Sequence, residues 1–478
     1  MTGPGRHSDV LVIGAGSAGS VVAARLSADP NCAVTVVESG PGLADRRLLA
    51  QTTNGLQLPL GAASPLVRRY QTQLTDRPVR QAPIVRGATI GGSGAVNGGY
   101  FCRGLPRDFD RAAIPGWAWS DVLEHFRAIE TDLDFDTPAH GKTGPILVRR
   151  TAELTGITER FVSAAERAGF GWIADLNDIG AELGSGVGAV PLNIVDGVRT
   201  GSGAGYLLPA LRRSNLTLLE RTRAQRLRFA GTTARGVDAI GPQGAISLSA
   251  ERVVLCAGAI ESAHLLMVSG IGDAAMLRAA GVPVLVALPV GTNCRDHPEW
   301  VLPTTWTVAP GRPVLEVVLS TADDIEIRPY TGGFVAMTGV GSAGHADWPH
   351  IGVALMQPLG HGRITLLSAD PDQPPLIEHR YDSEPEDVAA LQRGAELACE
   401  ITGLVGPGTA QWTTSQHLCG SAPMGVDADP RAVVDQQCRV RGVENLWVID
   451  GAILPMITSR GPHATIVMLG HRAAEFVA

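Results

Sequence analysis

The segment Val10-Leu11-Val12-Ile13-Gly14-Ala15-Gly16-Ser17-Ala18-Gly19 constrains the fold of this chain more than any other. Its four apolar residues predict a fully buried strand, and the alanine- and valine-rich run from Ser20 to Leu26 predicts a helix directly behind it. The glycines stand where a dinucleotide-binding βαβ unit needs them. Gly14 makes the turn, Gly16 admits a pyrophosphate, and Gly19 lets the helix pack closely on the strand. Ser17 and Ala18 lie at the helix start, where unpaired N–H groups and the helix dipole favour an anion. A second apolar strand, Ala33 to Val37, ends in Glu38 about 20 residues on, a carboxylate suited to a ribose diol. A glycine pattern alone arises by chance. Strand, helix and acid in register favour a dinucleotide site over a structural turn.

A second glycine-rich stretch runs from Arg86 to Gly99 and contains Gly87, Gly91, Gly92, Ser93, Asn97 and Gly98. Such a run lets backbone N–H groups approach a phosphate or a ring edge where a Cβ would collide. By itself it is equally compatible with a solvent loop or tight turn. Two further elements follow. Arg252 to Cys256 predicts a strand turning at Gly258 into an apolar helix. Near the end, a buried strand from Leu446 finishes on Asp450, Gly451 and Ala452, ahead of a Gly461-Pro462-His463-Ala464-Thr465 turn and a helix over Ile466 to Val477.

The chain has 478 residues, enough for two or three domains or one large composite. Its net charge of -8 argues against a nucleic-acid partner and against a polybasic membrane surface. Seven cysteines are scattered with no CxxC pair, so neither a zinc site nor a redox dithiol is indicated, and no metal is expected. The N-terminal residues are polar, and no uninterrupted apolar run reaches the length of a membrane span, so a cytoplasmic location without an integral membrane segment is the expectation.

Residues 43 to 85 read as irregular, punctuated by prolines. Ser120 to Leu133 predicts a helix with a serine N-cap. Strands are predicted over Asn215–Glu220, Ala224–Phe229 and Gly236–Ile240, an antiparallel sheet over Asp296 to Pro375, and a helix over Glu384 to Thr402. No clean linker separates these parts, so the cofactor and substrate domains are expected to interleave.

The order of Gly14–Gly19, Glu38, Arg86–Gly99, Gly258–Gly272, His417 and Asp450–Thr465 resembles the glucose–methanol–choline (GMC) oxidoreductase family along the whole chain. The resemblance implies an α/β fold: a Rossmann-type FAD-binding domain interleaved with a substrate domain built on an antiparallel sheet with helices. It places FAD-domain parts at 1–150, 201–298 and 416–478, and substrate-domain parts at 151–200 and 299–415. It also implies oxidation of a CH–OH donor by hydride transfer to flavin. Gly14, Gly16 and Gly19 would hold the FAD pyrophosphate and Glu38 the adenosine ribose. Gly87, Gly91, Gly92, Ser93 and Asn97, with Arg86 and Gly98, would line pyrophosphate and isoalloxazine. Asp450, Ala452 and Thr465 match positions near the flavin, and His417 matches the catalytic histidine. Independently of the family, an alcohol gives up hydride only as its O–H proton leaves, and a histidine near neutrality suits the base.

Three departures matter. The family's usual second His or Asn falls on Gly461 here. Either His463, two residues later, takes the partner role, or it contacts the flavin and leaves a single side-chain base; the first is preferred. Val96 replaces the histidine that binds flavin covalently in some members, so noncovalent FAD is expected. The chain is short in its 300–415 region, and with its Gly-Pro-His-Ala-Thr loop it resembles the members associated with mycofactocin. That implies a small alcohol or reduced mycofactocin as donor and a respiratory-chain acceptor. An oxygen-using choline or sugar oxidase, an FAD-retaining cyanohydrin lyase and a non-enzymatic FAD-binding role are the alternatives.

Overall fold

The computed structural model describes residues 7–43, 45–178, 184–307, 310–339, 347–404 and 407–478. The strand His7–Ile13 runs parallel between Val34–Val37 on one side and Gly244–Leu255 on the other. Leu216–Leu219 extends the sheet beyond Val34–Val37, and Leu446–Val448 joins the far end of Gly244–Leu255, both in parallel. Val10, Leu11 and Val12 are fully buried, as a parallel strand covered on both faces requires. Thr233–Gly241 and Arg223–Ala230 then continue the sheet antiparallel. The helix Ser17–Leu26 packs against the terminal helix His463–Ala473, and a Cβ on Gly470 would come within 2.9 Å of the Ala18 backbone.

A second sheet has the order Gln411–Thr414, Pro298–Pro303, His350–Leu355, Ile325–Pro329, Val317–Ser320, Gly186–Ala189 and Trp172–Ile173. All of its pairs are antiparallel except the last. Ile325 and Ile327 point into an apolar core shared with Phe161 and Leu391, from the helices Ile157–Arg167 and Pro385–Thr402. Because side chains alternate along a strand, Glu326 and Arg328 point the other way. The helices cover one face, and the polar face turns toward the first domain.

Several local expectations need correction. Residues 43–85 are not irregular: they hold the helix Arg46–Thr53 and most of a long hairpin, Val67–Asp76 with Val79–Gly87. Prolines misled the reading, because Pro78 sits in the turn and Pro83 is accommodated within the second strand opposite Gln71. The predicted helix at Ser120 runs instead from Trp119 to Ile129, with Asp121 accepting the Ala118 N–H at 3.1 Å. The terminal helix starts at His463, three residues earlier than predicted, and its α-helical part ends at Ala473.

Candidate active site

A deep cavity lies between the two sheets, and both glycine-rich elements form its wall. Gly14 has φ +102°, and a Cβ there would meet the Cys256 carbonyl oxygen at 2.4 Å, so only glycine turns the chain here. Gly92 has φ +53°, and its Cβ would lie 2.7 Å from the Gly16 Cα, so the two elements abut through bare backbone. Gly16, Ser17 and Ala18 line the cavity beside Gly92 and Ser93. Gly258 opens the helix Gly258–Val268 with φ +85° and nothing within 4 Å of an added Cβ. Three helix N-termini, at Ser17, Gly258 and His463, therefore border one space.

Glu38 stands at one end, buried, with Oε2 accepting the Ala15 N–H at 3.0 Å and Oε1 the Gly40 N–H at 2.8 Å. Burial pushes its pKa up against those bonds. Thr222 donates its N–H to the Glu38 carbonyl, and Thr222, Arg223 and Ala224 line this end, a contribution the sequence did not signal. Arg86, Gly87, Asn97, Gly98 and Asp450 also line the cavity. Four anticipated residues stand behind its wall. Gly19 packs on the Gly14 carbonyl, Gly91 donates to Ala15 O at 2.7 Å, Ala452 donates to Asp450 at 2.8 Å, and Thr465 accepts from Gly104 N at 3.3 Å. Asp450 caps the Gly258 helix, accepting from Gly258 N at 2.8 Å and Ser262 Oγ at 2.6 Å. An elongated cradle with bare glycine backbone, an acid at one end and helix N-termini along it fits a dinucleotide such as FAD.

At the other end His417 meets a residue that the sequence reading missed. His297, fully buried, places its Nδ1 2.8 Å from the Nδ1 of His417 and its Nε2 3.0 Å from the Thr458 carbonyl oxygen. A carbonyl only accepts, so the His297 Nε2 carries the hydrogen. Burial, aided by Arg328, lowers the His297 pKa to about 4, so its ring is neutral and Nδ1 is an acceptor. His417 must then donate through Nδ1. Its own pKa is held well below the ordinary histidine value by burial and by His297. The neutral ring therefore keeps a lone pair on Nε2. Asp296 fixes both backbones: its Oδ1 accepts the N–H of His297 at 2.9 Å and of His417 at 2.8 Å. The pairing of Pro298 with Thr414 in adjacent strands brings these distant residues together.

His463, expected as the partner of His417, is held elsewhere. Its Nδ1 lies 3.3 Å from Ser17 Oγ, and its ring meets Phe101 edge-on at 5.6 Å. Its Nε2 is buried without a hydrogen-bond partner, and burial lowers its pKa to about 4. A Cβ on Gly94 would come within 2.3 Å of its ring, which places His463 on the cofactor wall. At Gly461 a Cβ would lie 3.1 Å from the Tyr100 ring and 3.3 Å from Cε1 of His417, so a side chain there would crowd both rings.

Behind His417 runs an ionic chain. Arg328 binds Glu299 and Glu326, each at 2.9 Å, and Arg460 binds Glu326 at 2.7 Å. Ser415 Oγ donates to Glu299 at 2.6 Å, Tyr330 donates to Glu299 at 2.9 Å, and Tyr100 donates to Glu326 at 2.9 Å. Two acids face two guanidiniums, so this buried set is neutral.

Two family models, each described as GMC oxidoreductase, match residues 8–299 and 358–470. This chain is a GMC oxidoreductase. As a member of that family it is an FAD-dependent oxidoreductase. It is 40% identical over 495 residues to an uncharacterized GMC-type oxidoreductase of the thcA 5′ region of Rhodococcus erythropolis, with 98% of each chain covered. It is 30% identical to the oxygen-dependent choline dehydrogenase of Brucella anthropi, covering 98% of this chain and 95% of that one. Among solved structures it matches pyridoxine 4-oxidase from Mesorbium loti with a TM-score of 0.87 at 28% identity, covering 98% of both chains. The GMC oxidoreductase has no helix among its described residues long and apolar enough to cross a membrane.

Proposed function

We propose that this GMC oxidoreductase oxidises an alcohol to a carbonyl compound, with His417 Nε2 taking the hydroxyl proton. The observation that carries the reading is the hydrogen-bond chain from the Thr458 carbonyl through His297 to His417, which leaves Nε2 as the one ring nitrogen of the pair that is free to accept. Bound FAD supplies the acceptor for the electron pair of the C–H bond. His417 holds the O–H proton as that bond breaks, and His297 stabilises the resulting imidazolium by accepting its Nδ1–H. The absence of a side chain at Gly461 keeps the rings of Tyr100 and His417 uncrowded. Asp296 keeps both imidazoles from drifting, and His463 with Ser17 shapes the cofactor side.

In an anaerobic test, His417→Ala keeps the bound-flavin spectrum but reduces flavin with an alcohol about 10² to 10⁴ times more slowly. Unchanged reduction by the variant would remove His417 from the role of base. Flavin bleaching by an alcohol also separates this chemistry from a lyase and from a non-enzymatic FAD carrier.

The finer reading has reduced mycofactocin as donor, electrons passing to a respiratory acceptor, and FAD held noncovalently. The short 300–415 region and the Gly461–Thr465 loop support the donor, and Val96 supports noncovalent flavin. The likeness to an oxygen-dependent choline dehydrogenase supports oxygen as acceptor instead. Admitting oxygen or a quinone to the alcohol-reduced enzyme decides between them by which restores the yellow form. Flavin that stays with the precipitated protein after acid denaturation refutes the noncovalent reading.

A further inference from the structure

The charges around the cavity restrict what it takes up. Four carboxylates line it: Glu38, Glu261, Glu299 and Asp450. Glu38 and Asp450 accept backbone N–H groups on the cofactor wall. Glu261 is tied to Arg68 at 3.2 Å and accepts from Tyr70 at 2.5 Å. Glu299, near the catalytic pair, has one oxygen held by Tyr330 and the other by Arg328 and Ser415. Among the described residues, no carboxylate lining the substrate side is left with its charge uncompensated. Arg86, which also lines the cavity, makes no ion pair within 4 Å among the described residues; its guanidinium donates to the Val85 carbonyl at 3.0 Å and lies in the field of Asp296.

One stretch of the substrate wall is apolar and aromatic. Tyr330 lies over His350 with ring centroids 4.8 Å apart, Phe334 meets His350 edge-on at 5.3 Å, and Val314 and Met337 complete the wall. The His350 ring is neutral, its pKa lowered to about 4 by burial. Phe334 is stacked on Trp348 at 4.5 Å, so one face of that ring is already used. Ring faces attract a quaternary ammonium, and a buried one is held firmly where a carboxylate also supplies its counter-charge. Here the described lining offers no carboxylate free to balance a cation.

We infer that the substrate is an uncharged alcohol carried on an aromatic or branched apolar body, and that quaternary ammonium alcohols are rejected, although a relative at 30% identity is a choline dehydrogenase. The inference rests on the alcohol-oxidation reading above. Arg328 is the specificity determinant, because it neutralises Glu299, the cavity-lining carboxylate near His417 that would otherwise greet a cation.

The test compares choline with 3,3-dimethylbutan-1-ol, its uncharged isostere, and with 4-methoxybenzyl alcohol, following anaerobic flavin reduction in the holoenzyme. Both neutral alcohols are expected to reduce the flavin with an apparent second-order rate at least 100-fold above that of choline. Choline within tenfold of its isostere, or faster, overturns the inference. Binding is read separately from flavin difference spectra with phenyltrimethylammonium and tert-butylbenzene, which carry no oxidisable hydroxyl. The neutral compound is expected to bind at least tenfold tighter, and equal or tighter binding of the cation overturns the charge rule even where no alcohol is turned over. Failure of every alcohol to bleach the flavin, with the neutral ligand still preferred, defeats the alcohol-oxidation reading and leaves the charge rule standing. In Arg328→Met the choline to isostere rate ratio is expected to rise at least tenfold; an unchanged ratio in folded variant removes Arg328 from the specificity role.

Discussion

His297 shows how a single residue decides the chemistry of its neighbour. Its Nε2 is committed to the Thr458 carbonyl, so its Nδ1 is free to accept, and that fixes which nitrogen of His417 is basic. In His297→Phe the tautomer of His417 is no longer imposed. We expect flavin reduction to slow roughly 100-fold while bound-flavin absorbance stays normal; a variant as fast as the parent would show that His417 orients itself. The same burial sets the pH response. Because the His417 pKa is depressed, the base is deprotonated throughout the neutral range. Reduction rates are therefore expected to hold level from pH 8 down past 6.5 and to fall only in more acidic solution. An acid limb centred at 6.5 or above would contradict the buried, neutral pair.

At the scale of elements, the glycines of the cofactor wall divide into two kinds. Gly14 is locked by backbone, with the Cys256 carbonyl 2.4 Å from an added Cβ, and the two strands cannot both stay in place around a methyl group. Gly258 has open space in front of it, so a methyl group there adds only left-handed strain, about 1–2 kcal/mol. Gly14→Ala is expected to lower the melting temperature markedly or prevent soluble folding. Gly258→Ala is expected to fold yet bind FAD more weakly, as measured by flavin released on dilution. Equal behaviour of the two variants would mean that the cavity at Gly258 is not where the cofactor lies. The hairpin Val67–Gly87 belongs to this scale too, since it carries Arg68, Tyr70 and Arg86 to the cavity from a stretch whose prolines concealed it.

Over the whole molecule, buried imidazoles set the pH range of stability. His297, His350, His379 and His463 titrate at about 4 in the folded chain and His471 at about 3, against 6.5 unfolded. Between pH 6.5 and 4 the unfolded chain binds more protons, so stability is present above 6.5 and is lost as pH falls through that window. His140 works in the opposite sense. It sits between Asp132 at 3.0 Å and Asp175 at 2.6 Å, and burial opposes but does not defeat these acids, which hold its pKa at about 11. Its contribution is complete below 6.5 and is lost as pH rises toward 11. Glu130, Asp132 and Asp175 face Arg103, Arg150 and this imidazolium, a balanced buried cluster that ties the Glu130–Asp132 strand to Asp175. Thermal melts of the holoenzyme are expected to fall as pH drops from about 6.5 toward 4, the window in which these imidazoles gain protons only in the unfolded chain. A melting temperature that stays level across that window would show that these imidazoles are not buried neutral.

The sequence determined the strand–glycine–helix cradle, the second glycine run against it, Glu38 at the strand end and His417 as the candidate base. Each of these is a local pattern, because backbone conformation and close approach demand particular residues within a few positions of one another. Tertiary structure alone decided who stands beside them. His297 reaches His417 from 120 positions away because two antiparallel strands align Pro298 with Thr414. His463, near in sequence to the vacant position at Gly461, is drawn to Ser17 because the terminal helix begins at it and packs on the first. Arg328 cancels Glu299 across neighbouring parts of one sheet face. Nothing in the spacing of Asp296-His297-Pro298-Glu299 singled these residues out, because it carries no information about what a sheet register will place opposite them.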